Sequence, residues 1–465
     1  MSDQSDPTII VIFGISGDLA GRKVLPALYH LLKHSLLPNK CRIIGTSRQE
    51  ITVDKILDKI ELSIPETDND CDPAVLKRFK EIFEVIQFDP SDEKGYALLK
   101  NRLDKIEVDE GVCLNRLFYL AIPPAAYLPI VRLLGKNNLS GSCQHNKAKS
   151  RLLIEKPFGY DLDSAKRLIK QTNRFFKEDQ ILRIDHYLAK ETAQNILAFR
   201  RHNPLFCNIW QNNYISKVTI RALETLGIEG RVGFYESTGA LRDIIQSHLL
   251  QLMAISAMEL PDDINSSNQI HQQKIKLLNK VVIGKLTKQS ILRGQYASYR
   301  EEVNNPKSNT ETYVLLKFGI NNKRWANTPF ILETGKAMAK KTTDVTIDFA
   351  MAHERNRNQL TIRIQPNEGI DIKLFAKKPG FSNTVEPTIM DFSYESAFKD
   401  QARPDAYERV MVDALRGDQS LFASDKEVIR SWQILQPILD KWQRSSDDLM
   451  IYPNGSMGPA NNSLK

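Results

Sequence analysis

From Arg183 to Glu191 the chain reads Arg-Ile-Asp-His-Tyr-Leu-Ala-Lys-Glu, with a carboxylate, an imidazole, a phenol and an ammonium packed between Asp185 and Lys190. If a helix begins at Asp185, His186 and Lys190 are four apart and share a face. Two cationic or donor groups on one face suit a compact dianion such as a phosphate monoester. Asp185 then points elsewhere and is available for another task. A surface ladder of salt bridges is the plainer alternative.

The segment does not stand alone. Arg242-Asp-Ile-Ile-Gln-Ser-His-Leu-Leu-Gln-Leu-Met253 has apolar positions at helical spacing and places His248 among them. In an α-helix Asp243 and His248, five apart, lie about 140° apart around the axis. Asp243 is then badly placed to orient the imidazole. A base at His248 needs a carboxylate from elsewhere in the chain, and Asp185 is the candidate. A histidine satisfied within a core is the alternative.

These groups need elements to position them. Thr8 to Phe13 is β-branched and apolar and reads as a strand. Gly14 to Gly17, the start of Gly14-Ile-Ser-Gly-Asp-Leu-Ala20, follows as a turn, and Leu19 to Leu32 carries helical spacing. Strand, glycine turn and helix form a dinucleotide fingerprint over Gly14, Ser16, Gly17, Asp18 and Leu19. Gly14 permits the tight turn, and Gly17 lets backbone approach a pyrophosphate at the helix N-terminus. A strand-to-helix turn with no ligand has the same pattern. After the second strand, Cys41 to Gly45, comes Thr46-Ser47-Arg48, where an NAD-binding domain usually places an acid. Arg48 would attract a 2′-phosphate that a carboxylate would repel, so NADP is preferred, with NAD open as a second choice.

Further strands at Leu117 to Ile122 and Arg151 to Glu155, alternating with helices, predict a parallel sheet; Asn137 to Ser150 reads as a polar loop. Beyond residue 185 the character changes. Strands at Tyr214 to Ala222, Thr312 to Phe318, Val345 to Phe349, Gln359 to Gln365 and Gly369 to Ala376 predict a mostly antiparallel sheet. The fold class expected is α/β followed by α+β: a Rossmann-type domain over 1–185 and an α+β substrate and dimerisation domain over 186–465. The tail from Ser445 is rich in Asn, Ser, Gly and Pro and reads as loosely held.

At 465 residues, two domains are the natural expectation. A net charge of +8 raises nucleic acid as a partner, but the cations are spread along the chain and no basic tract interleaves with aromatics, so none is expected. The polar start and the short apolar run Ile9 to Phe13 argue against secretion and membrane insertion. Five scattered cysteines, Cys41, Cys71, Cys113, Cys143 and Cys207, have no metal-ligand spacing and make a disulfide framework implausible; a reduced cytoplasm and no metal are expected.

Taken together, the chain resembles the glucose-6-phosphate dehydrogenase family over nearly its full length. The matching blocks are Gly14 to Ala20, Glu155-Lys-Pro-Phe-Gly159, Arg183 to Lys190 and Arg242 to Gln251. Others are Pro329-Phe-Ile-Leu-Glu-Thr-Gly-Lys336, Lys377-Lys-Pro-Gly380 and Pro404-Asp-Ala-Tyr-Glu-Arg409. The resemblance implies oxidation at C1 of glucose 6-phosphate to the lactone, with hydride passing to NADP. It implies His248 as general base and Asp185 as its orienting partner, with His186, Tyr187 and Lys190 on the phosphate. Glu224 and Asp243 would accept from sugar hydroxyls, and Lys336 and Lys341 would complete the pocket. Lys23 and Lys156 would lie near sugar and nicotinamide, with a cis bond before Pro157, and Tyr127 near the cofactor.

Duller roles stay open: a domain junction for Lys156, a turn cap for Glu224, solvation for the lysine-rich stretch 336–341, and structural duty for Asp18 and Arg22. Gly21 and Ala189 depart from common family residues. Animal relatives extend further at the C-terminus and bind a second NADP there; that site is doubtful here. The family forms homodimers and homotetramers. The competing functions are a dehydrogenase of another sugar or sugar phosphate, and a catalytically silent NADP-binding scaffold.

Overall fold

The computed structural model of the protein describes residues 6–64, 71–141, 148–287, 290–350, 357–399, 401 and 403–459. The first sheet has six strands: β1 (Thr8–Phe13), β2 (Cys41–Ser47), β3 (Phe83–Gln87), β4 (Asn115–Leu120), β5 (Ser150–Ile154) and β6 (Ile181–Arg183). All neighbours pair in parallel, in the order β3-β2-β1-β4-β5-β6. Every residue of β1 is buried, as a central strand covered on both faces requires. The strand order reverses beside β1, where open sheets of this kind bind ligands outside their carboxyl ends. The spacing pattern misses β3 and β6, the two edge strands. β3 is mostly half-buried and β6 is three residues long, so neither leaves a periodic signal.

The second sheet comprises β7 (Ile215–Leu223), β8 (Val281–Ile283), β9 (Ile291–Tyr296), β10 (Tyr313–Ile320), β11 (Phe330–Gly335), β12 (Thr342–Phe349), β13 (Gln359–Gln365), β14 (Gly369–Lys377), β15 (Val385–Ser393) and β16 (Leu449–Tyr452). Its main path is β15-β14-β13-β12-β7-β11-β10-β9-β16, with β8 paired to β10. Among the described residues only the strand pairs β7–β11 and β9–β16 are parallel, so the sheet is mostly antiparallel, as expected. Buried positions alternate along β13, the signature of a strand with one covered face.

Two compact units result: Met1–Gly159 with Asp163–Ala189 and Arg403–Asp425, and Tyr160–Leu162 with Lys190–Ala402 and Lys426–Lys465. A single cut at residue 185 is therefore too simple. His186 to Ala189 stay with the first unit, and Arg403–Asp425 returns to it. Asp405 caps the helix Ala406–Arg416 by accepting from the Tyr407 N–H. That helix packs on the helix Leu25–Lys33, where His30 Nδ1 lies 2.7 Å from Glu408 Oε1. Farther on, the Ala423 N–H donates to Arg183 O at 3.0 Å and Ile184 bridges Phe422. These contacts span more than two hundred positions, so no local pattern announces them.

Two other expectations are corrected. The tail is not loose through residue 459. Its β16 pairs with β9, Ser456 bridges Met338, and Tyr452 is fully buried, because its hydroxyl donates to Lys336 O at 2.7 Å. Cys113 is disulfide-bonded, against the expectation of a reduced cytoplasm in which a disulfide framework is implausible; Cys41, Cys71 and Cys207 are free. Cys143, like the middle of the loop Asn137 to Ser150, lies outside the described residues.

Candidate active site

In the first unit, the candidate residues follow the carboxyl ends of strands. After β1, Gly14 takes φ +82°, and a Cβ there would stand 2.6 Å from Ile122 Cγ2 and 2.7 Å from Ala121 O. Only glycine fits this turn. The Gly17 N–H closes it onto Gly14 O at 2.9 Å. Ser16 is exposed, Leu19 half-buried, and exposed Asp18 is tied to Arg22 at 2.7 Å. Exposed Lys23 rides on a π-helical turn, Ala20–Val24, that opens the following helix. Bare backbone beside a helix start is a cradle that fits a dinucleotide pyrophosphate. Arg48, just past β2, is exposed. Tyr127 opens the helix Tyr127–Lys136 and is buried near the Tyr119 phenol.

Lys156 lies two residues beyond β5, and the Lys156–Pro157 bond is cis, as the resemblance implies. Beyond β6, Asp185 is buried, and its Oδ1 accepts the Tyr187 N–H at 3.1 Å while its carbonyl accepts from Leu188 at 3.0 Å. Residues 186–189 are therefore a turn. The helix starts only at Glu191, with Lys190 as an extended N-cap at φ −71° and ψ 136°. This corrects the expectation of one helical face for His186 and Lys190. The Asp185 carboxylate offers its own backbone a local bond that competes with helix. His186 and Tyr187 stand with ring centroids 5.1 Å apart.

The second unit assembles a polar cluster at one end of β11-β7-β12. Leu223 and Gly335 are the last paired residues of parallel β7 and β11, so Glu224 and Lys336 leave the sheet side by side and form an ion pair. Lys336 is 3% exposed, and its Nζ lies 5.4 Å from the centre of the Tyr235 ring. Exposed Lys341 precedes Thr342, which pairs with Leu223 from the other side. Burial first, then the charges of Asp243, Glu311 and Glu224, holds the Tyr235 phenol well above its usual range. That places Asp243 and Glu224 in one neighbourhood with Lys336.

Asp243 and His248 lie on a helix that departs from the expected α geometry. Leu241–Leu249 is π-helical, and the Leu250 N–H donates five residues back to Ile245 O. Residues five apart are then about one turn apart. Asp243 and His248 come to neighbouring positions on one face, correcting the wide separation that α-helical spacing implies. The helix packs on β7 and β11. Its start is anchored by Glu311, whose Oε1 accepts from the Leu241 N–H at 3.0 Å. Burial raises the Glu311 carboxyl. His248 is fully buried.

Residues 11–195 match the profile "Glucose-6-phosphate dehydrogenase, NAD binding domain", and residues 197–464 match "Glucose-6-phosphate dehydrogenase, C-terminal domain". The chain belongs to the glucose-6-phosphate dehydrogenase family. Glucose-6-phosphate 1-dehydrogenase of Chlamydia pneumoniae is 40% identical, covering 97% of this chain and 93% of that protein. The Arabidopsis thaliana protein named glucose-6-phosphate 1-dehydrogenase 5, cytoplasmic, is 36% identical over 97% and 89%. A solved glucose-6-phosphate dehydrogenase in complex with glucose 6-phosphate superposes with a TM-score of 0.91 at 32% identity, covering 99% of this chain and 97% of that one.

Motif spacing leaves several residues around this candidate site unmarked. Glu155 lies inside the Glu-Lys-Pro block, yet only the structure shows the Tyr119 hydroxyl donating to it at 2.7 Å. Tyr407, on the returning segment, helps to pull the same carboxyl down against its burial. Tyr235 lies just before a matching block and Glu311 lies between two of them, so neither carries a signal of its own. Among the described residues no group of three His, Cys, Asp or Glu side chains is placed to hold a metal ion. No described helix is long and apolar enough to cross a membrane.

Proposed function

We propose that this protein oxidises D-glucose 6-phosphate to 6-phospho-D-glucono-1,5-lactone with NADP as hydride acceptor. The observation that carries this is full-length likeness to a solved relative described with glucose 6-phosphate bound. Residue types suited to each part of such a reaction support the reading. His248 takes the C1 hydroxyl proton as the C1 hydride leaves, and Asp185 pins the imidazole and stabilises its cation. His186, Tyr187 and Lys190 hold the phosphate. Glu224 and Asp243 accept from sugar hydroxyls, and Lys336, Lys341 and Lys156 add donors. When bound, the nicotinamide supplies the hydride acceptor. Initial rates with glucose 6-phosphate and glucose, side by side, test this; equal rates would favour a dehydrogenase of unphosphorylated sugar.

Cofactor choice rests on Arg48. A charge-assisted hydrogen bond contributes about 1.5–3 kcal/mol, or about ten- to a hundredfold in specificity. Arg48→Ala is therefore expected to lower kcat/KM for NADP by that factor while leaving kcat/KM for NAD nearly unchanged. An unaltered ratio of the two would remove Arg48 from the 2′-phosphate.

A homodimer or homotetramer in the cytoplasm is part of the same proposal. Strand β15 is a sheet edge with Val385, Ile389 and Met390 exposed at 49%, 65% and 60%. An open edge with apolar side chains is a template for pairing. Ile389→Lys is expected to reduce the mass in sedimentation toward the 53.0 kDa of one chain. A wild-type chain sedimenting as a monomer would end this part.

A further inference from the structure

Just past β11, the consecutive residues Lys336 to Ala339 are held by backbone bonds to distant parts of the second unit. Thr312 O accepts the Lys336 N–H at 3.0 Å, and the Tyr452 hydroxyl donates to Lys336 O at 2.7 Å. Both backbone polar groups of Lys336 are thus fixed. The Ala337 N–H donates to Leu226 O at 2.9 Å, and Ala337 O accepts the Gly455 N–H at 2.8 Å. The Met338 N–H reaches Glu224 O at 2.9 Å, and the Ala339 N–H reaches Ser456 O at 2.8 Å. Ala337 stands at φ +51°, a left-handed backbone that a residue with a Cβ keeps only where its surroundings over-determine it.

The Tyr452 hydroxyl has one proton and two neighbours, Lys336 O and, at 2.9 Å, Thr312 Oγ1. A carbonyl can only accept, so the phenol proton goes to Lys336 and the Thr312 hydroxyl donates to Tyr452. The Tyr452 ring is fully buried, with its centre 5.8 Å from that of Tyr313 and 6.5 Å from that of Tyr296. Packing asks only for the ring. The hydroxyl serves one carbonyl, that of the lysine whose ammonium pairs with Glu224 and lies 5.4 Å from the Tyr235 ring centre.

We propose that Tyr452 is a positioning residue for Lys336: its hydroxyl, on a C-terminal strap of residues 449–459, pins the Lys336 backbone and so holds the ammonium ready for the sugar phosphate. The proposal rests on the substrate role given to Lys336 above. A lysine on a loose backbone spreads its charge over many rotamers, and ordering them on binding weakens affinity. With the backbone pinned and the ammonium seated against Glu224 and the Tyr235 ring, that ordering is complete before substrate arrives.

Tyr452→Phe keeps the ring and removes the one donor. KM for glucose 6-phosphate should rise about tenfold, equivalent to about 1.4 kcal/mol and within the cost of an unsatisfied buried acceptor. Turnover and KM for NADP should stay within about twofold, because the loss falls on binding of one substrate. A merely structural residue would lower the thermal midpoint and the active fraction while leaving KM alone, and that result would overturn the proposal.

A cycle with Lys336→Ala separates this role from the functional reading. In that background Tyr452→Phe should add nothing to KM. If Lys336→Ala alone left KM unchanged, the substrate role of Lys336 would fall and the proposal with it. If Lys336→Ala raised KM and Tyr452→Phe did not, only the positioning role would fail. An equal rise from Tyr452→Phe with and without Lys336 would also refute it.

The lysine itself supplies a readout that needs neither substrate nor cofactor. Lys336 is 3% exposed, whereas nearby Lys341 is exposed. Under limiting acetic anhydride, with the sites read by mass spectrometry, Lys336 should be acetylated slowly in the wild type and several-fold faster in Tyr452→Phe, relative to Lys341. An unchanged ratio of labelling at the two lysines would overturn the proposal, whatever the substrate is.

Discussion

Replacing His248 with asparagine is expected to lower turnover on glucose 6-phosphate by on the order of a hundred- to ten-thousandfold, the usual contribution of a positioned general base. Asparagine keeps a polar group of similar reach but cannot take a proton at neutral pH. Since His248 is fully buried on the π-helix Leu241–Leu249, no solvent group stands ready to replace it. The apparent affinity for the sugar phosphate should change little, because the loss concerns an interaction made as the reaction proceeds. A variant with near-normal turnover would remove His248 as base. One with normal turnover but weak sugar binding would reassign it to the substrate. A third result would bear on the helix geometry. If Asp243→Asn lowered turnover as far as the His248 variant does, the π-turn that brings the two residues to one face would make Asp243 the orienting carboxylate in place of Asp185.

Three residues past His248 lies the support for the second large effect. Gln251 donates to Glu427 Oε2 at 3.0 Å and accepts from Lys274 Nζ at 2.9 Å. Lys274 and Glu427, both fully buried, pair at 2.8 Å, and His271 Nδ1 lies 2.7 Å from Glu427 Oε1. Three helices, Leu250–Ala257, Ser267–Leu278 and Asp425–Arg444, are joined through this network. Removing one partner strands an uncompensated buried charge. Lys274→Met is therefore expected to cost about 3–5 kcal/mol in urea unfolding. Replacing both charges with Met should recover much of that loss, because the pair itself contributes little against a well-packed apolar core.

The pH dependence has a definite sign. Burial alone would raise the Glu427 carboxyl, but Lys274 and His271 outweigh it and bring it down to about 2, below the ordinary 4.5. Its contribution is present above about pH 4.5 and is lost as pH falls from there toward 2. Wild-type stability should decline across that window more steeply than the stability of the double Met variant. A single-variant cost below about 0.5 kcal/mol, within the range of ordinary surface changes, would mean that the network is dispensable.

The residues that carry the proposed chemistry were legible from order and type. Gly14 and Gly17 after an apolar strand, Arg48 in place of an acid, and the blocks around Asp185 and His248 are local patterns. Short-range sterics and side-chain chemistry write such patterns directly into neighbouring positions. The alternation of strand and helix before residue 185, and of strands alone after it, was enough to foresee one parallel and one mostly antiparallel sheet.

Only the tertiary structure decided what those patterns do together. The Asp185 carboxylate captured a local N–H and made a turn where four-residue spacing suggested a helix. A π-helix, anchored at its start by Glu311 from seventy positions away, moved Asp243 and His248 onto one face. Arg403–Asp425 folded back into the first unit, where the Ala423 N–H donates to Arg183 O, and β16 drew an apparently loose tail under Lys336. Each of these outcomes depends on burial and on bonds between residues distant in sequence. Their energies exceed local preference, and they exist only once the chain has folded.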